Sequence, residues 1–369
     1  VSLRLEYGPQ RSSITLQFTE PWLLDVPVGF ESSIFYYLYE VQTTSVFSDT
    51  TGDANYQKQS FGYSAGLSYR YRYFWKLGGG WRHAFLDVLN PSGNANDEVL
   101  KEANRSLQEK RSIYMYFFHD SRNNYLNPTS GIRLGGRVTF TGGTFLGGQD
   151  HYIEYRPELS LYFSPFHIPF LPSHPIVFEL RASATIIKPP LNTSAVKKQQ
   201  SYTDNRWLED EDRLTIGGPE TIRGWDYFDP MLPLSWRSRT LSHMILYGLE
   251  FRIPVHPQYL WVAFFFDAGS LWSDRFWENQ LNDEYLGYVT DDLNTKSEYN
   301  SSNKLYRLAD IGKVNLLNYF KYSYGFGFRV QIPMMPLRFW FGKKVIFNGK
   351  SFKAISDYTF QFAIGDYRY

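Results

Sequence analysis

Arg223, Glu250 and Asp267 are the residues whose types and spacing could do chemistry in this sequence. Arg223 lies in GGPETIRGWDYFDP, residues 217–230, where the alternation of apolar and polar residues that fills most of the chain stops. Glu250 and Asp267 follow in two segments that keep the alternation. A guanidinium binds carboxylates through paired, charge-assisted hydrogen bonds. The pattern predicts a loop held in place by Arg223, and the alternative is an ordinary turn with an exposed arginine.

The sequence otherwise lacks the patterns that catalysis or metal binding requires. Seven histidines are scattered without metal-ligand spacing, and the absence of cysteine excludes thiolate chemistry and a disulfide framework. Phosphate-binding, dinucleotide-binding and nucleophile-elbow motifs do not occur. We therefore predict no catalytic residue, no metal, no cofactor and no enzyme activity. The enzymatic alternative is a lipase or protease whose site is assembled from distant strands.

Regular alternation over about ten residues predicts that the chain consists of β-strands. In PIVFELRASATIIK, residues 175–188, Phe178 and Leu180 share one face, while Glu179 and Arg181 share the other. The sequence predicts 14 such strands. They lie near residues 1–7, 12–20, 28–42, 58–72, 76–88, 110–120, 131–141, 151–163, 176–188, 243–253, 259–272, 319–331, 337–346 and 354–365.

Strands with one apolar and one polar face suit either a soluble sandwich or a membrane barrel. Three features favour the barrel: strands long enough for a tilted span, many Arg and Glu on the polar faces, and connections that alternate between short and long. The longest apolar run, residues 259–266, is too short for a transmembrane helix. We predict an all-β transmembrane antiparallel β-barrel, a single domain over residues 1–369, with one helix at residues 97–110 in a long loop.

The strand faces also predict where the two carboxylates point. In MILYGLEFRI, Leu249 and Phe251 lie on the lipid face, so Glu250 points into the lumen. The same alternation in YLWVAFFFDAG turns Asp267 inward. A hairpin folded back into the barrel would therefore bring Arg223 to both carboxylates.

The segment GGPETIRGW resembles the hydrophobic-Arg-Gly-aromatic signature in the sixth extracellular loop of the Omp85 superfamily. The signature is matched by Ile222, Arg223, Gly224 and Trp225. In that family the loop folds into the barrel, and its arginine contacts inward carboxylates on the two following strands. Glu250 in LEF and Asp267 in FFFDAG match those positions. The resemblance therefore implies the same contacts that the strand faces predict.

Three further segments carry the resemblance across nearly the whole chain. FTEPW, residues 18–22, resembles a turn of the BamA branch of the superfamily, and RNNYLNPTSGIRLGG, residues 122–136, resembles its turn before the ninth strand. FQFAIGDYRY, residues 360–369, resembles its terminal strand, except that Tyr369 lies four residues after Gly365 rather than three. The resemblance implies 16 strands, of which about 14 are visible here, with two strands and the periplasmic POTRA domains lying upstream.

The resemblance implies a non-enzymatic insertase, the central barrel of the machinery that folds and inserts outer-membrane proteins in a Gram-negative-type bacterium. Its partners would be unfolded outer-membrane protein clients, accessory assembly lipoproteins and the lipid bilayer, and no nucleic acid. Clients would enter without ATP at a weak lateral seam beside the terminal strand. The terminal-strand and seam residues are Phe360, Phe362, Ile364, Gly365 and Tyr369.

Two other functions fit the same barrel. A two-partner secretion transporter or a TamA-like member of the superfamily would differ in its upstream domains. A porin or receptor would conduct steadily and would not need an Arg-Gly loop folded into the lumen.

Overall fold

The computed structural model describes twelve stretches of the chain. These are residues 1–7, 11–43, 54–89, 107–125, 127–148, 150–168, 171–188, 214–226, 242–272, 320–332, 337–347 and 351–364. Within these stretches, no helix has the length and apolar character needed to cross a membrane.

Fifteen β-strands make up nearly all the regular structure. They are β1 (Ser2–Tyr7), β2 (Arg11–Glu20), β3 (Val28–Thr43), β4 (Ala54–Tyr71), β5 (Trp75–Leu89), β6 (Gln108–Asp120), β7 (Gly131–Thr141), β8 (Tyr152–Ile168), β9 (Leu171–Lys188), β10 (His243–His256), β11 (Leu260–Trp272), β12 (Lys321–Val330), β13 (Leu337–Phe347), β14 (Phe352–Ala354) and β15 (Thr359–Ile364). A 3-10 turn, Leu23–Asp25, joins β2 to β3, and a four-residue helix α1, Gly143–Leu146, follows β7.

Hydrogen-bonded neighbours follow chain order from β1 to β14. The strand pairs whose register is defined, from β1 to β6 and from β9 to β15, are antiparallel. Such a meander arises because short turns return the chain beside the strand it has just left, as at residues 72–74 and 257–259. The predicted strand positions are confirmed within a few residues, with two exceptions at the helix and at the terminal strand.

The predicted helix at residues 97–110 is wrong over its described end. Gln108, Glu109 and Lys110 belong to β6 and pair with β5, and Leu107 before them is not helical. Pairing with a neighbouring strand outweighs the local helical periodicity, because each paired residue gains ladder hydrogen bonds and cross-strand contacts. The remainder of the predicted helix lies outside the described residues.

The predicted terminal strand is split rather than continuous. Both β14 and β15 pair with β13, but in different registers: Val345 faces Ala354, so the same register would place Gly342 opposite Asp357, yet Gly342 faces Thr359. Two extra residues are therefore inserted. The Ser356 hydroxyl accepts a hydrogen bond from the Lys344 N–H at 3.0 Å, a bond that a strand backbone would otherwise provide. The result is a bulge in the last strand.

The chain forms two compact units. The first comprises Val1–His119, Gly135–Tyr155 and Ile187–Arg213. Within it, Leu67 on β4 and Met115 on β6 are exposed, whereas Lys58 on β4 and Ser112 on β6 are buried. The Ser112 and Thr141 hydroxyls lie 2.9 Å apart. This unit therefore exposes its apolar face and covers its polar one.

The second unit comprises Asp120–Leu134, Arg156–Ile186 and Leu214–Tyr369. It too has an exposed apolar face and a covered polar face, and the contrast between them is stronger. Leu180 and Phe264 are 37% and 47% exposed, whereas their neighbours Glu179 and Arg252 are 2% and 0% exposed. Water would penalise such a surface, but a bilayer stabilises it. The predicted apolar sides of these strands are exposed and the predicted polar sides are covered.

The lipid-facing assignment can be tested at Leu180, near the middle of β9. We expect Leu180→Arg to lower the free energy of unfolding by about 2–4 kcal/mol, because it places a charge in the hydrocarbon. Ser160→Arg on the polar face of β8 is the control, and it should cost much less. Urea unfolding of protein refolded in lipid vesicles measures both. A greater loss for Ser160→Arg would reverse the two faces.

Candidate functional site

The loop at residues 214–226 folds back on itself within the second unit. Gly217 and Gly218 have φ values of 126° and 78°, which glycine adopts without steric cost. The Thr221 hydroxyl accepts a hydrogen bond from the Gly217 N–H at 2.7 Å and donates to its carbonyl. The Gly218 N–H donates to the Trp225 carbonyl at 2.6 Å. These bonds close residues 217–225 into a compact loop.

The end of this loop, Arg223, Gly224 and Trp225, is here called the Arg-Gly-Trp tip. The Arg223 guanidinium makes a two-pronged contact with Asp267, with Nε to Oδ2 at 2.6 Å and Nη2 to Oδ1 at 2.7 Å. Its Nη1 donates to Glu250 Oε2 at 2.5 Å, and its backbone N–H donates to Asp267 at 3.2 Å. The contact between Arg223 and both carboxylates, predicted from the sequence, is present.

Strand register brings the two carboxylates together. Asp267 on β11 faces Gly248, and Glu250 on β10 faces Phe265, so the carboxylates stand diagonally on one face. Arg223, Glu250 and Asp267 are all almost completely buried. Burial opposes the charge on Arg223, but attraction by Asp267 and then Glu250 outweighs it and raises the pKa of Arg223 above its ordinary value. The guanidinium is therefore a permanent cation and unsuited to proton transfer.

Two aromatic rings enclose the same guanidinium. The Arg223 Cζ lies 3.9 Å from the Phe265 ring centroid and 4.5 Å from that of Trp340. Each ring also lies over a glycine of β12, because a Cβ at Gly325 would come within 2.9 Å of Phe265 and one at Gly327 within 2.3 Å of Trp340. The GFG pattern of β12 thus makes room for the rings. Cation–π attraction adds to the ionic contacts in this desolvated site.

The second residue of the tip must be glycine for two reasons. Gly224 has a φ of 87°, a conformation that other residues rarely adopt. A Cβ at Gly224 would also lie 2.9 Å from the backbone of Gly342 on β13, and a Cβ at Gly342 would lie 2.8 Å from Gly224. The two backbones are therefore in direct contact.

The tip also bonds to β12 and β15 through neutral groups. The Trp225 indole Nε1 donates to the Tyr322 carbonyl at 2.8 Å. The Gly224 N–H donates to Gln361 Oε1 at 2.9 Å, and Gln361 Nε2 donates to the Trp225 carbonyl at 2.8 Å. Three residues of loop thereby contact five strands, β10 to β13 and β15.

Further charged side chains surround Arg223, Glu250 and Asp267 on the same face of the sheet. Arg329 on β12 contacts Glu250, and Arg181 on β9 lies 3.4 Å from Asp267. Arg252 donates to the Asn127 side chain and the Pro128 carbonyl, each at 2.7 Å. These contacts hold the carboxylates and tie β10 to the turn before β7.

The remaining predicted residues have different positions. Ile222 is buried beside the tip, and a Cβ added at Gly269 of β11 would come within 2.7 Å of it. Phe360 and Phe362 are exposed on the apolar face of β15. Ile364 pairs with Leu337 at the end of β15. Gly365 and Tyr369 lie outside the described residues.

Sequence reasoning missed several residues that complete the site. They are Phe265, Arg329, Trp340, Gly342 and Gln361. Alternation alone could have placed Gln361 inward, since it lies between two lipid-facing phenylalanines. Among the described residues, no cluster of His, Asp and Glu could hold a metal ion.

The strength of the anchor can be measured with arginine variants. We expect Arg223→Ala to lower the free energy of unfolding by about 3–5 kcal/mol, because it removes the cation that bridges two buried carboxylates. Arg223→Lys should give a smaller loss, since a point charge cannot bridge both carboxylates as the planar guanidinium does. Arg137→Ala is the control, because Arg137 is exposed and stacks on Tyr114 in the first unit. Equal losses at positions 223 and 137 in urea unfolding would contradict the anchor.

The sequence and the fold are similar to those of known proteins. Residues 1–367 match the Omp85 superfamily domain. The crystal structure of BamA from Haemophilus ducreyi lacking POTRA domains 1-3 matches with a TM-score of 0.62 and 14% identity, covering 98% of this chain and 63% of that one. A comparison with curated proteins found no match.

Two further solved structures share the fold. CdiB from Acinetobacter baumannii matches with a TM-score of 0.51 and 14% identity, covering 96% of this chain and 50% of that one. CdiB from Escherichia coli matches with a TM-score of 0.53 and 11% identity, covering 96% and 52%. The chain therefore spans between half and about two thirds of the length of these proteins. It belongs to the Omp85 superfamily and has the antiparallel transmembrane β-barrel fold of that superfamily.

Proposed function

We propose that this chain is the membrane barrel of a β-barrel assembly factor, which folds and inserts other outer-membrane proteins. The observation that carries the proposal is the terminal strand. Its ladder to β13 covers six residues in β15 and three in β14, separated by the two-residue bulge at Ser356. In the described residues, β15 pairs with β13 alone. A ladder that is short and disrupted by a bulge can separate at lower cost than a long continuous one, and a lateral seam requires a terminal strand that separates easily.

The driving force follows from the cost of exposing backbone to lipid. Each unpaired N–H or C=O group in hydrocarbon costs several kcal/mol, so a client strand is stabilised as soon as it pairs with an available edge. Such pairing is β-augmentation, and it needs no nucleotide. Phe360, Phe362 and Ile364 on β15, followed by Gly365 and Tyr369, would form the side of the seam that the client meets. Client folding then supplies the free energy.

The Arg-Gly-Trp tip would keep the barrel intact while its seam opens. It joins β10 and β11 through charged contacts and β12, β13 and β15 through neutral ones. Because the charged contacts are the stronger ones, β10 and β11 would stay joined to the tip when the edge of β15 opens. The proposed site is therefore mechanical, and none of its residues acts as a catalyst.

The location and partners of the protein follow from this proposal. The barrel would lie in the outer membrane of a Gram-negative-type bacterium, with its apolar face in the lipid bilayer. Unfolded outer-membrane proteins would be its clients, and accessory assembly lipoproteins would be its partners.

The second candidate is a two-partner secretion or TamA-like transporter, which the similarity to the two CdiB structures favours. The two functions differ in the final location of the client protein. An insertase leaves its client folded in the bilayer, whereas a transporter releases it across the bilayer. Full-length protein in lipid vesicles, supplied with an unfolded barrel client, separates them by protease protection and by the heat-dependent mobility of folded barrels in gels. We expect membrane-embedded client, and released client would support the transporter.

Closing the seam covalently should stop insertion. The chain contains no cysteine, so Ala363→Cys can be paired with one cysteine on the strand that faces the free edge of β15 in the full-length protein. We expect the oxidised protein to lose insertion of clients and the reduced protein to recover it. A second cysteine pair at Phe328 and Phe339, which face each other on β12 and β13, is the control because that hairpin need not open. Insertion at the unlocked rate by fully cross-linked Ala363→Cys protein would exclude a lateral seam.

A further inference from the structure

The terminal strand is joined to the Arg-Gly-Trp tip by the side chain of Gln361. The Gln361 Oε1 accepts a hydrogen bond from the Gly224 N–H, and its Nε2 donates to the Trp225 carbonyl. A carboxamide both donates and accepts, so one side chain satisfies a backbone donor and a backbone acceptor at once. Gln361 is buried, which makes the loss of either bond costly.

Neighbouring contacts fix the position of that amide. Gln361 faces Trp340 in the β13–β15 ladder, and the Trp340 ring lies over Arg223. Thr359, two residues earlier on the same face, faces Gly342, which touches Gly224. The tip and β15 are therefore registered against each other through the same two positions of β13. A shift of either one moves the amide away from its partners.

The opposite face of β15 lacks comparable constraints. Phe360 and Phe362 are exposed, and their rings lie near only the phenylalanines of β13 among the described residues. Those contacts are made to β13 and do not involve the loop at residues 214–226. The inward side of β15 is thus where the loop can act on the terminal strand.

We propose that Gln361 is a positioning residue that couples the Arg-Gly-Trp tip to the terminal strand. When the tip is bound to Asp267 and Glu250, its backbone offers Gln361 both bonds and β15 is held. When the tip shifts, both bonds are lost and β15 frays from the bulge onward. The consequence for client entry rests on the proposed function, but the coupling itself does not.

Hydrogen exchange of full-length protein in lipid nanodiscs tests the coupling without any client. We expect Gln361→Met, which keeps the length of the side chain but not its amide, to speed exchange of the β15 amides about ten- to a hundred-fold, as the loss of two hydrogen bonds implies. Thr359→Val on the same face of the same strand is the matched control and should change β15 much less. Unchanged exchange in Gln361→Met would overturn the proposal.

Combining Gln361→Met with Arg223→Lys separates coupling from simple stabilisation. Loosening the tip by Arg223→Lys should speed β15 exchange when Gln361 is present, and should add little when it is already replaced by methionine. If the two effects multiply as independent changes, Gln361 does not transmit the position of the tip.

A shorter amide provides a second variant should the methionine protein not fold. Gln361→Asn keeps the donor and the acceptor but is one methylene too short to hold both partners, so it should behave as Gln361→Met does. Wild-type exchange in Gln361→Asn would contradict the geometry proposed. If the coupling is found while insertion by Gln361→Met stays at the wild-type rate, the proposed gating of clients fails and the coupling stands.

Discussion

The fold of the second unit depends on one buried ionic contact, that of Arg223 with Asp267 and Glu250. A charge removed from water must be paired, because an uncompensated buried ion costs several kcal/mol. The loop at residues 214–226 therefore cannot leave without exposing two carboxylates, and the strands β10 and β11 cannot shift without losing the cation. Phe265 and Trp340 exclude water from the pair and strengthen it.

The lipid environment explains why such a site can exist. The apolar side chains of β9 to β11 are exposed, so the covered face can hold charged groups. These groups are Glu179, Arg252, Arg223, Glu250 and Asp267. In exchange, lipid requires that every backbone group in the strands be paired. A bulge weakens the ladder where it occurs, and the described part of the terminal strand has a bulge at Ser356. The charged covered face and the need for complete ladders are two consequences of the same arrangement of faces.

Most of the strands and the inward direction of Glu250 and Asp267 could be predicted because they depend on local alternation. The choice of a folded-in loop over an ordinary turn with an exposed arginine came from the resemblance of GGPETIRGW to the Omp85 loop signature. Once the faces of β10 and β11 are known, Glu250 and Asp267 must point to the same side as the folded-back loop. The helix prediction was wrong at its described end because Glu109 belongs to β6 and pairs with β5. Local periodicity does not encode that pairing. The bulge was missed for a similar reason: a serine hydroxyl replaces a backbone partner only when Lys344 lies opposite. Contacts between distant backbones, such as Gly224 with Gly342, leave no periodic signal.

The unequal strength of the contacts of the tip sets the order in which they can break. Charge-assisted hydrogen bonds are about twice as strong as neutral ones, so the bonds of Arg223 to Asp267 and Glu250 outlast the bonds of Gln361 to the loop backbone. A strand that pulls on β15 would therefore free the terminal strand while the tip stays bound to β10 and β11. The barrel could then open at one edge without unfolding its interior. In the proposed insertase, the tip would still be in place after a client has left, and Gln361 could rebind Gly224 and Trp225 without the loop having to fold again.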